Sequence, residues 1–536
     1  VLLFLAAFVS SARANVYATN IKLNGTLTDS WVAPGYPARI SYILNEPATM
    51  GVTLQIFSGT NVVRTFLATN GQAGALVGSN AFIWDGTSDN GSNIAEGAYS
   101  LRITAGAVGY GDWTNFMDVY QDNPRSIDVN KNTASPYYGR VFIGNNDGNQ
   151  PADVYKYNSD GSAADEGLLG TDGYGWVNNS AVVGAGFSPW KICVAPNDSV
   201  YVNDWQGAGF VLDFDQEIDA NWSISLWSDN YPFYGVSLGG MYVSQGATNG
   251  QLWMADVGLK NVPQNGIGIV RWDLLADGTV GSNDIGTTVV STTNSDLTLA
   301  PYDVAVTTNG FIYTIQRIAD GDQLSAMADT TNKLLCFPPW TNGAPPETAA
   351  LWAVGAGDTN LVNASGVDVD PTGSWVAVGS RGFGSDPESL TNGTVSVYNA
   401  KNGQLVTRFY TGQYREIFDV AWDRAGNLYA ADFGSNAWHV FSPPGTNQAT
   451  TVCVSSLEVL SSLQPPELMD MTVTTNGTSF VIDGQSAVSY AVELSTNCMD
   501  WTDIGTNFDS APERLVNLPP TTDAQDYYRV KALPAN

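Results

Sequence analysis

The chain has 536 residues, 43% of them hydrophobic and only 14% charged, with 52 acidic side chains against 22 Lys and Arg. That length suits two to four domains of ordinary size. A net charge of −30 argues against nucleic acid and anionic membrane as partners, because both require clustered cations.

Residues Val1 to Val9 are almost wholly apolar, and the following Ser-Ser-Ala12-Arg-Ala14 is a small-x-small site. This reads as a signal peptide over 1–14, cut after Ala14. Beyond it, no apolar run reaches the length of a membrane span. The sequence therefore predicts a secreted or cell-surface protein without membrane insertion.

Within a first domain read as 15–112, residues 38–105 alternate with period two. Ile40, Tyr42 and Leu44 share a face, as do Val52, Leu54 and Ile56, and Tyr99, Leu101 and Ile103, with Gly, Asn and Asp between the runs. The pattern predicts a β-sandwich. The stretch Phe82-Ile-Trp84-Asp85-Gly86-Thr-Ser-Asp89-Asn-Gly91, followed by Glu96-Gly97-Ala-Tyr99, resembles the Ig-like domain of flagellar hook-capping proteins. That resemblance implies an accessory module of fold, not flagellar function. Asp85 and Asp89 fit part of a calcium-loop template and equally an Asx turn.

Residues 113–460 carry a repeat with an irregular period of about 49 to 65 residues, counted as six units. Its clearest copies run from Trp190 to Asp204, Tyr302 to Gln316, Gly366 to Gly379 and Phe418 to Asp432; weaker copies start near Arg125 and Leu238. Each copy is a strand, a Gly/Asn/Asp turn and a second strand. Such units bury both faces only when stacked radially, so the repeat predicts a six-bladed β-propeller over a shorter-runged solenoid. Leu428-Tyr-Ala-Ala-Asp432-Phe-Gly-Ser-Asn436-Ala-Trp-His-Val-Phe441 resembles the NHL repeat family. That family implies a propeller without implying an activity. Its basic position falls on Trp438 or His439 here.

Residues 467–536 form a last segment with strand candidates Phe480-Val-Ile482, Tyr490 to Leu494 and Tyr527 to Val530. With Ser495 to Trp501 between them, they resemble a C-terminal β-sandwich module of exported bacterial proteins. The predicted fold class is thus all-β: a six-bladed propeller flanked by N-terminal and C-terminal β-sandwich (Ig-like) domains.

The residues ending each second strand are expected to gather at one mouth of the central channel. Aligning the copies puts Asn145, Asp204, Asp256, Gln316, Gly379 and Asp432 there. Carboxylates and amides suit Ca²⁺ or sugar hydroxyls, so Asp204, Asp256 and Asp432 are the candidate Ca²⁺ ligands. The same aspartates also suit a plainer task, tying down the loop that follows. Trp190, Trp205, Tyr302, Phe418 and Phe433 flank these positions, either as a sugar-stacking platform or as wedges between blades. Arg317 and Arg381 follow in two blades, placed to hold an anion or to pair with the aspartates.

The single histidine, His439, excludes histidine-dependent acid–base networks and multi-histidine metal centres; beside Trp438 it reads as a packing residue. Cys193, Cys336, Cys453 and Cys498 form no C-x-x-C pair, which argues against zinc. Cys453 with Cys498 is a candidate disulfide, with buried thiols as the other reading. No nucleophile elbow, phosphate loop or zinc-protease motif is present. The sequence reads as a secreted or cell-surface binding protein whose propeller engages a glycan or protein partner. Two alternatives stay open. One is a carbohydrate-active or lactone-cleaving propeller enzyme using an acid-rich channel mouth, with or without calcium. The other is a structural component of an extracellular matrix or filament.

Overall fold

The strand–turn–strand copies in the middle of the chain carry Val, Ile, Tyr and Trp at alternate positions, residues that fit a pleated surface buried on both faces. In the computed structural model these copies form, among the described residues, six four-stranded antiparallel sheets. The described residues are 15–145, 153–164, 174–175, 189–204, 211–218, 222–226, 238–244, 250–256, 268–282, 284–316, 332–355, 361–382, 393–412, 415–460, 467–474, 477–483, 490–496, 501–508, 513–518 and 527–532.

The first strand of each sheet is, in chain order, Pro124–Val129, Pro189–Val194, Leu238–Ser244, Pro301–Val306, Ala364–Val369 and Ile417–Trp422. Each of these packs on the next, and the last packs back on the first. The sheets therefore close into a ring, a β-propeller. Hairpins between first and second strands turn on glycines in the left-handed region, such as Gly310 (φ 87°) and Gly426 (φ 98°), where a Cβ would add strain.

Ring closure uses a strand from before the first sheet. Thr114–Tyr120 pairs with Ala437–Ser442 as the outermost strand of the sixth sheet, and sets Asp118 opposite His439. Large side chains fill the wedges between sheets. Ile127, Val129, Val141 and Ile143 of the first sheet meet Ala421, Tyr429, Trp438 and Val440 of the sixth. Each fully buried Val or Ile contributes about 1.5–3 kcal/mol relative to leaving it in water. All six first–second strand pairs also share a register irregularity at the same end, where the first strand begins. Bulges of this kind re-aim side chains.

By internal contacts the chain divides into two units. One joins Val1–Thr19 with Ala107–Gln448; the other joins Asn20–Gly106 with Ala449–Asn536. The second unit is also all strand. Within it, Ser30–Val32 runs parallel to Leu457–Val459, which in turn pairs with Gly97–Ala107. Trp31, Ala33, Leu460, Phe480, Ile482, Tyr490, Val492 and Val516 share one buried cluster. The Asp85 carboxylate accepts from the backbone N–H (3.1 Å) and the hydroxyl (2.7 Å) of Thr87, while Asp89 accepts from Thr65 N–H (2.9 Å). These bonds make an Asx turn pinned to the neighbouring strand. Cys193, Cys336 and Cys453 are buried free thiols, which corrects the candidate bridge from Cys453; Cys498 lies outside the described residues.

Candidate functional site

The register places the predicted second-strand ends together at one end of the ring. Asn145 pairs with Pro124, Asp204 with Pro189, Asp256 with Leu238, Gln316 with Pro301 and Asp432 with Ile417. In the fifth sheet the equivalent residue is Ser380, opposite Ala364, one position beyond Gly379. Asp204 is described in its backbone only, and Trp205 and Arg317 lie outside the described residues.

Several of these side chains are committed to loops. Asn145 Oδ1 accepts from Asp153 N–H at 2.7 Å. Gln316 Oε1 accepts from Thr298 N–H (2.9 Å) and Leu299 N–H (3.3 Å). Asp432 is fully buried and accepts from the N–H groups of Glu416 (2.9 Å), Gly434 (3.1 Å) and Ser435 (3.3 Å), from the Ser435 hydroxyl (2.8 Å) and from Arg415 (3.2 Å). Burial alone would raise its pKa, but these bonds and His439 hold it below the ordinary aspartate value. Asp256 is buried at the end of its strand. Among the described residues, no group of three or more His, Cys, Asp or Glu side chains is arranged to hold a metal ion.

The aromatics at this end converge. Trp190 meets Tyr302 edge-on at 6.1 Å and Phe418 at 5.9 Å, and Phe418 meets Phe433 at 5.3 Å. The Arg125 guanidinium lies 5.2 Å from the Trp190 ring centre, 4.7 Å from Phe418 and 4.8 Å from Phe433. Arg381 covers Phe418 at 4.0 Å and pairs with Glu416 at 3.0 Å. Trp190, Tyr302 and Phe418 are each only 1% exposed. They form a plug held by cation–π contacts.

The ring's chemistry lies deeper, on the first strands. An innermost strand is a sheet edge, with one row of backbone N–H groups lacking a strand partner. Counted from Pro124, Pro189, Leu238, Pro301, Ala364 and Ile417, the third residues are Ser126, Lys191, Gly240, Asp303, Gly366 and Asp419. The fifth residues are Asp128, Cys193, Tyr242, Ala305, Asp368 and Ala421. Each of the four aspartates uses Oδ1 for the next N–H of its own strand and Oδ2 for an N–H of the following sheet. Asp128 reaches Val194 (2.7 Å), Asp303 reaches Val367 (2.9 Å), Asp368 reaches Trp422 (2.8 Å) and Asp419 reaches Ile127 (3.2 Å). The thiol of Cys193 takes Val243 N–H at 3.3 Å in the same manner. These side chains staple neighbouring sheets together.

Lys191 crosses the axis. Its ammonium donates to Asp419 (2.6 Å), Asp303 (2.8 Å) and the Ser365 carbonyl (3.1 Å). Nearer the opposite end, Lys131 pairs with Asp368 (3.0 Å) and Asp128 (3.3 Å). Burial pushes the carboxyls of Asp128, Asp303 and Asp419 up, the last to about 8, with Lys191 opposing the shift in the latter two. Burial pulls both ammonium groups down, but their carboxylate neighbours outweigh it and hold them above the ordinary lysine value. Two glycines make room: a Cβ on Gly240 would lie 1.3 Å from Asp303 Oδ1, and one on Gly366 2.6 Å from Asp419 Cα.

Above these layers is a cavity of about 520 Å³. Its wall includes Asp128, Lys131, Asp303, Asp368 and Asp419, and its rim is made of first-to-second-strand hairpins carrying Thr307, Thr308, Asn309 and Thr372. Exposure falls along it, from 31% for the Lys131 side chain to 4% for Lys191. The cavity is a well whose least exposed lining is Lys191, Asp303 and Asp419, and its rim hairpins lie at the end of the first strands opposite the second-strand ends. The sequence signal for this site was the charged residue inside otherwise apolar first strands: Lys191 after Trp190, Asp303 after Tyr302 and Asp419 after Phe418.

His439 belongs to a polar network after all, which corrects the reading from its isolation in the sequence. Its Nδ1 contacts Asp118 Oδ1; its Nε2 lies 2.8 Å from the Tyr410 hydroxyl and 3.2 Å from Ser435 Oγ. Its ring is nonetheless 3% exposed, beside Trp438 in the same strand.

No protein-family model matches the chain, and no curated protein matches it. Solved structures similar to it include a glucose dehydrogenase (12% identity, 62% of this chain and 99% of that one, TM-score 0.35). The soluble aldose sugar dehydrogenase of Escherichia coli, in the apo-form, is 9% identical over 62% of this chain and 99% of its own, with a TM-score of 0.38. A calcium structure of a Trichoderma reesei carbohydrate-active enzyme of family AA12 is 9% identical over 66% of this chain and 100% of its own, with a TM-score of 0.36. Likenesses at these scores carry nothing about activity, and the ring itself is read from its own strand pairing.

Proposed function

We propose that the ring is the binding module of an exported protein and that its axial well takes a small, neutral, polyhydroxylated ligand, such as a terminal unit of a glycan. One observation carries this reading: an axial well of about 520 Å³, within the range of small-molecule sites, whose deep charges are already paired. A charged ligand would have to break those pairs in a poorly solvated site, which is costly. Hydroxyl groups suit the walls better. They donate to the spare lone pairs of Asp128 and Asp368, accept from Lys131, and meet the Thr307, Thr308 and Thr372 hydroxyls at the rim. The apolar leader over 1–14 supports export, and no described helix is long and apolar enough to cross a membrane. In the same reading the ring's repeats are NHL-type, and the segments 15–112 and 467–536 are Ig-like accessory modules that space or attach it. Calcium has no part in this binding mode.

Calorimetric titration of the full chain with a panel of neutral mono- and oligosaccharides tests the proposal. At least one sugar is expected to bind with one-to-one stoichiometry. Thr308→Trp, at the exposed rim, is expected to abolish the signal. Lys131→Met is expected to weaken it about tenfold, matching the loss of one charge-assisted hydrogen bond. Binding that survives Thr308→Trp unchanged, or a folded wild type that binds none of the panel, would remove the well as the site.

A further inference from the structure

We propose that Tyr242 is the side chain by which the axial well selects its ligand, and that the class it selects is a closed pyranose ring, held between the Tyr242 hydroxyl on one side and Lys131, Asp128 and Asp368 on the other. The inference rests on the sugar-binding reading of the well and goes beyond it in naming the selecting residue and the form of the sugar.

The order of the ring divides the well in two. The fifth residues of the first strands, Asp128, Cys193, Tyr242, Ala305, Asp368 and Ala421, all line it. Each first strand packs on the next until the sixth meets the first, so sheets five, six and one are consecutive. They carry Asp368, Ala421 and Asp128. Lys131 pairs with both acids, at 3.0 and 3.3 Å, and so spans the gap left by the small Ala421. The facing arc is sheets two, three and four, with Cys193, Tyr242 and Ala305. In a ring of six, the third sheet stands across the axis from the sixth.

The two arcs differ in what they have left to offer. On the charged arc, Asp128 and Asp368 accept from backbone N–H groups and from Lys131. On the facing arc, the Cys193 thiol is taken by Val243 N–H and Ala305 has no polar side-chain atom. Tyr242 is the exception. Its ring packs on the apolar cluster shared by the third and fourth sheets, while the charges of Lys131, Asp368 and Asp128 act on its phenol from the other arc. Burial pushes the phenol up, so it keeps its proton at neutral pH. The residue is half-buried, and among the described residues its hydroxyl makes no hydrogen bond. A polar group left unspent in a partly desolvated site rewards a ligand that supplies its partner.

A ligand that uses both arcs must present polar groups on opposite edges at once. A pyranose does this with a rigid frame. Its hydroxyls stand around the rim, and the C–H groups of its faces suit Ala305 and the Tyr242 ring. An open-chain polyol carries the same hydroxyls, but each of its C–C rotors must be frozen on binding, at a cost in entropy.

The test is calorimetric titration of the full chain with the methyl glycosides of glucose, galactose and mannose, each set against its alditol: glucitol, galactitol and mannitol. At least one glycoside is expected to bind, and its alditol at least about tenfold more weakly. Tyr242→Phe is expected to weaken that glycoside about five- to tenfold, as for one lost hydrogen bond. Its thermal midpoint is expected to stay within about 3 °C of wild type, because the hydroxyl has no partner in the free chain to lose. A tyrosine with a structural role alone would show the reverse, a lower midpoint with affinity kept. An alditol bound as tightly as its glycoside, a glycoside affinity unchanged in Tyr242→Phe, or a midpoint lowered by more than that margin would overturn the inference and leave the well standing as the site. Failure of every glycoside to bind the folded wild type would remove the sugar-binding reading, and this inference with it.

Discussion

Replacing Lys191 by Met is the sharpest test of how the ring holds itself together. The ammonium sits 2.6 Å from Asp419, 2.8 Å from Asp303 and 3.1 Å from a carbonyl, at 4% side-chain exposure. Removing it strands two carboxylates whose partner came from a strand across the axis. Breaking a buried pair from one side costs about 3–5 kcal/mol, and two acids share the loss here. The cost depends on pH with a definite sign. Burial raises the folded pKa of both acids, Asp419 to about 8 even with Lys191 present. A carboxyl whose folded pKa exceeds its unfolded value contributes most below the unfolded value and loses that contribution as pH climbs through the folded one. Without Lys191 that loss steepens. Because Asp419 ionises in the folded wild type only as pH rises through about 8, the deficit of Lys191→Met relative to wild type is expected to be roughly 1 kcal/mol at pH 5, where hydrogen bonds are missing, and to climb above pH 8 toward about 3–5 kcal/mol at about pH 9.5. Urea unfolding followed by tryptophan fluorescence reads the ring, since Trp190, Trp422 and Trp438 are all buried in it. A deficit below about 1 kcal/mol at about pH 9.5, or one equal at both pH values, would refute the idea that Lys191 neutralises these acids as they ionise.

Other changes probe neighbouring features. Gly240→Ala sets a methyl group 1.3 Å from Asp303 Oδ1; a loss of about 3 kcal/mol or more is expected in the same assay, whereas Gly343→Ala, whose Cβ would meet nothing within 4 Å, tests only its φ of 81° and is expected to cost about 1 kcal/mol. Asp432→Asn is expected to lower stability by about 2–4 kcal/mol at pH 7, because an amide cannot accept from all of the donors around it. Since its folded pKa lies below the unfolded one, wild type is expected to lose this contribution only as pH falls below the ordinary carboxylate range. Asp213 is pushed up to about 7 by burial, so wild-type stability is expected to fall as pH rises through that value; Asp213→Asn should remove that fall and raise the thermal midpoint at pH 8.

The architecture was legible because a strand–turn–strand unit repeats the same local rules: branched and aromatic residues at alternate positions, then Asn-Gly or Ala-Gly at the turn. The register even gathers the expected second-strand ends at one end of the ring. Of the two tasks read for those side chains, Asp432 performs the plainer one, tying down the loop that follows. An Asp at the end of a strand, before a loop, finds N–H donors within a few residues, and Asp432 takes them from Gly434 and Ser435. The acids on the first strands do not show, within one repeat, what they bond to. Their partners are backbone N–H groups of a different sheet, such as Val367 for Asp303, 64 residues on, and no single repeat shows that its inner edge will be left without a strand. His439 was misread for the same reason: Asp118 is 321 residues away in sequence, and only ring closure makes them neighbours.

The staples also limit what the well can hold. Each of Asp128 and Asp368 already spends one oxygen on its own strand and the other on the next sheet, and both share Lys131. A carboxylate accepts roughly four hydrogen bonds, so what remains is a small number of lone pairs in fixed directions. A hydroxyl can donate to one of them without disturbing the backbone bonds. A divalent cation would draw in both oxygens of each group, taking them from the N–H groups that join sheet one to two and sheet five to six. The free energy of metal uptake would then be set against that of closing the ring. In the proposed binding mode such a site would select for hydrogen-bond donors that leave its wall intact, and its rigidity would come from the same four aspartates that staple neighbouring sheets.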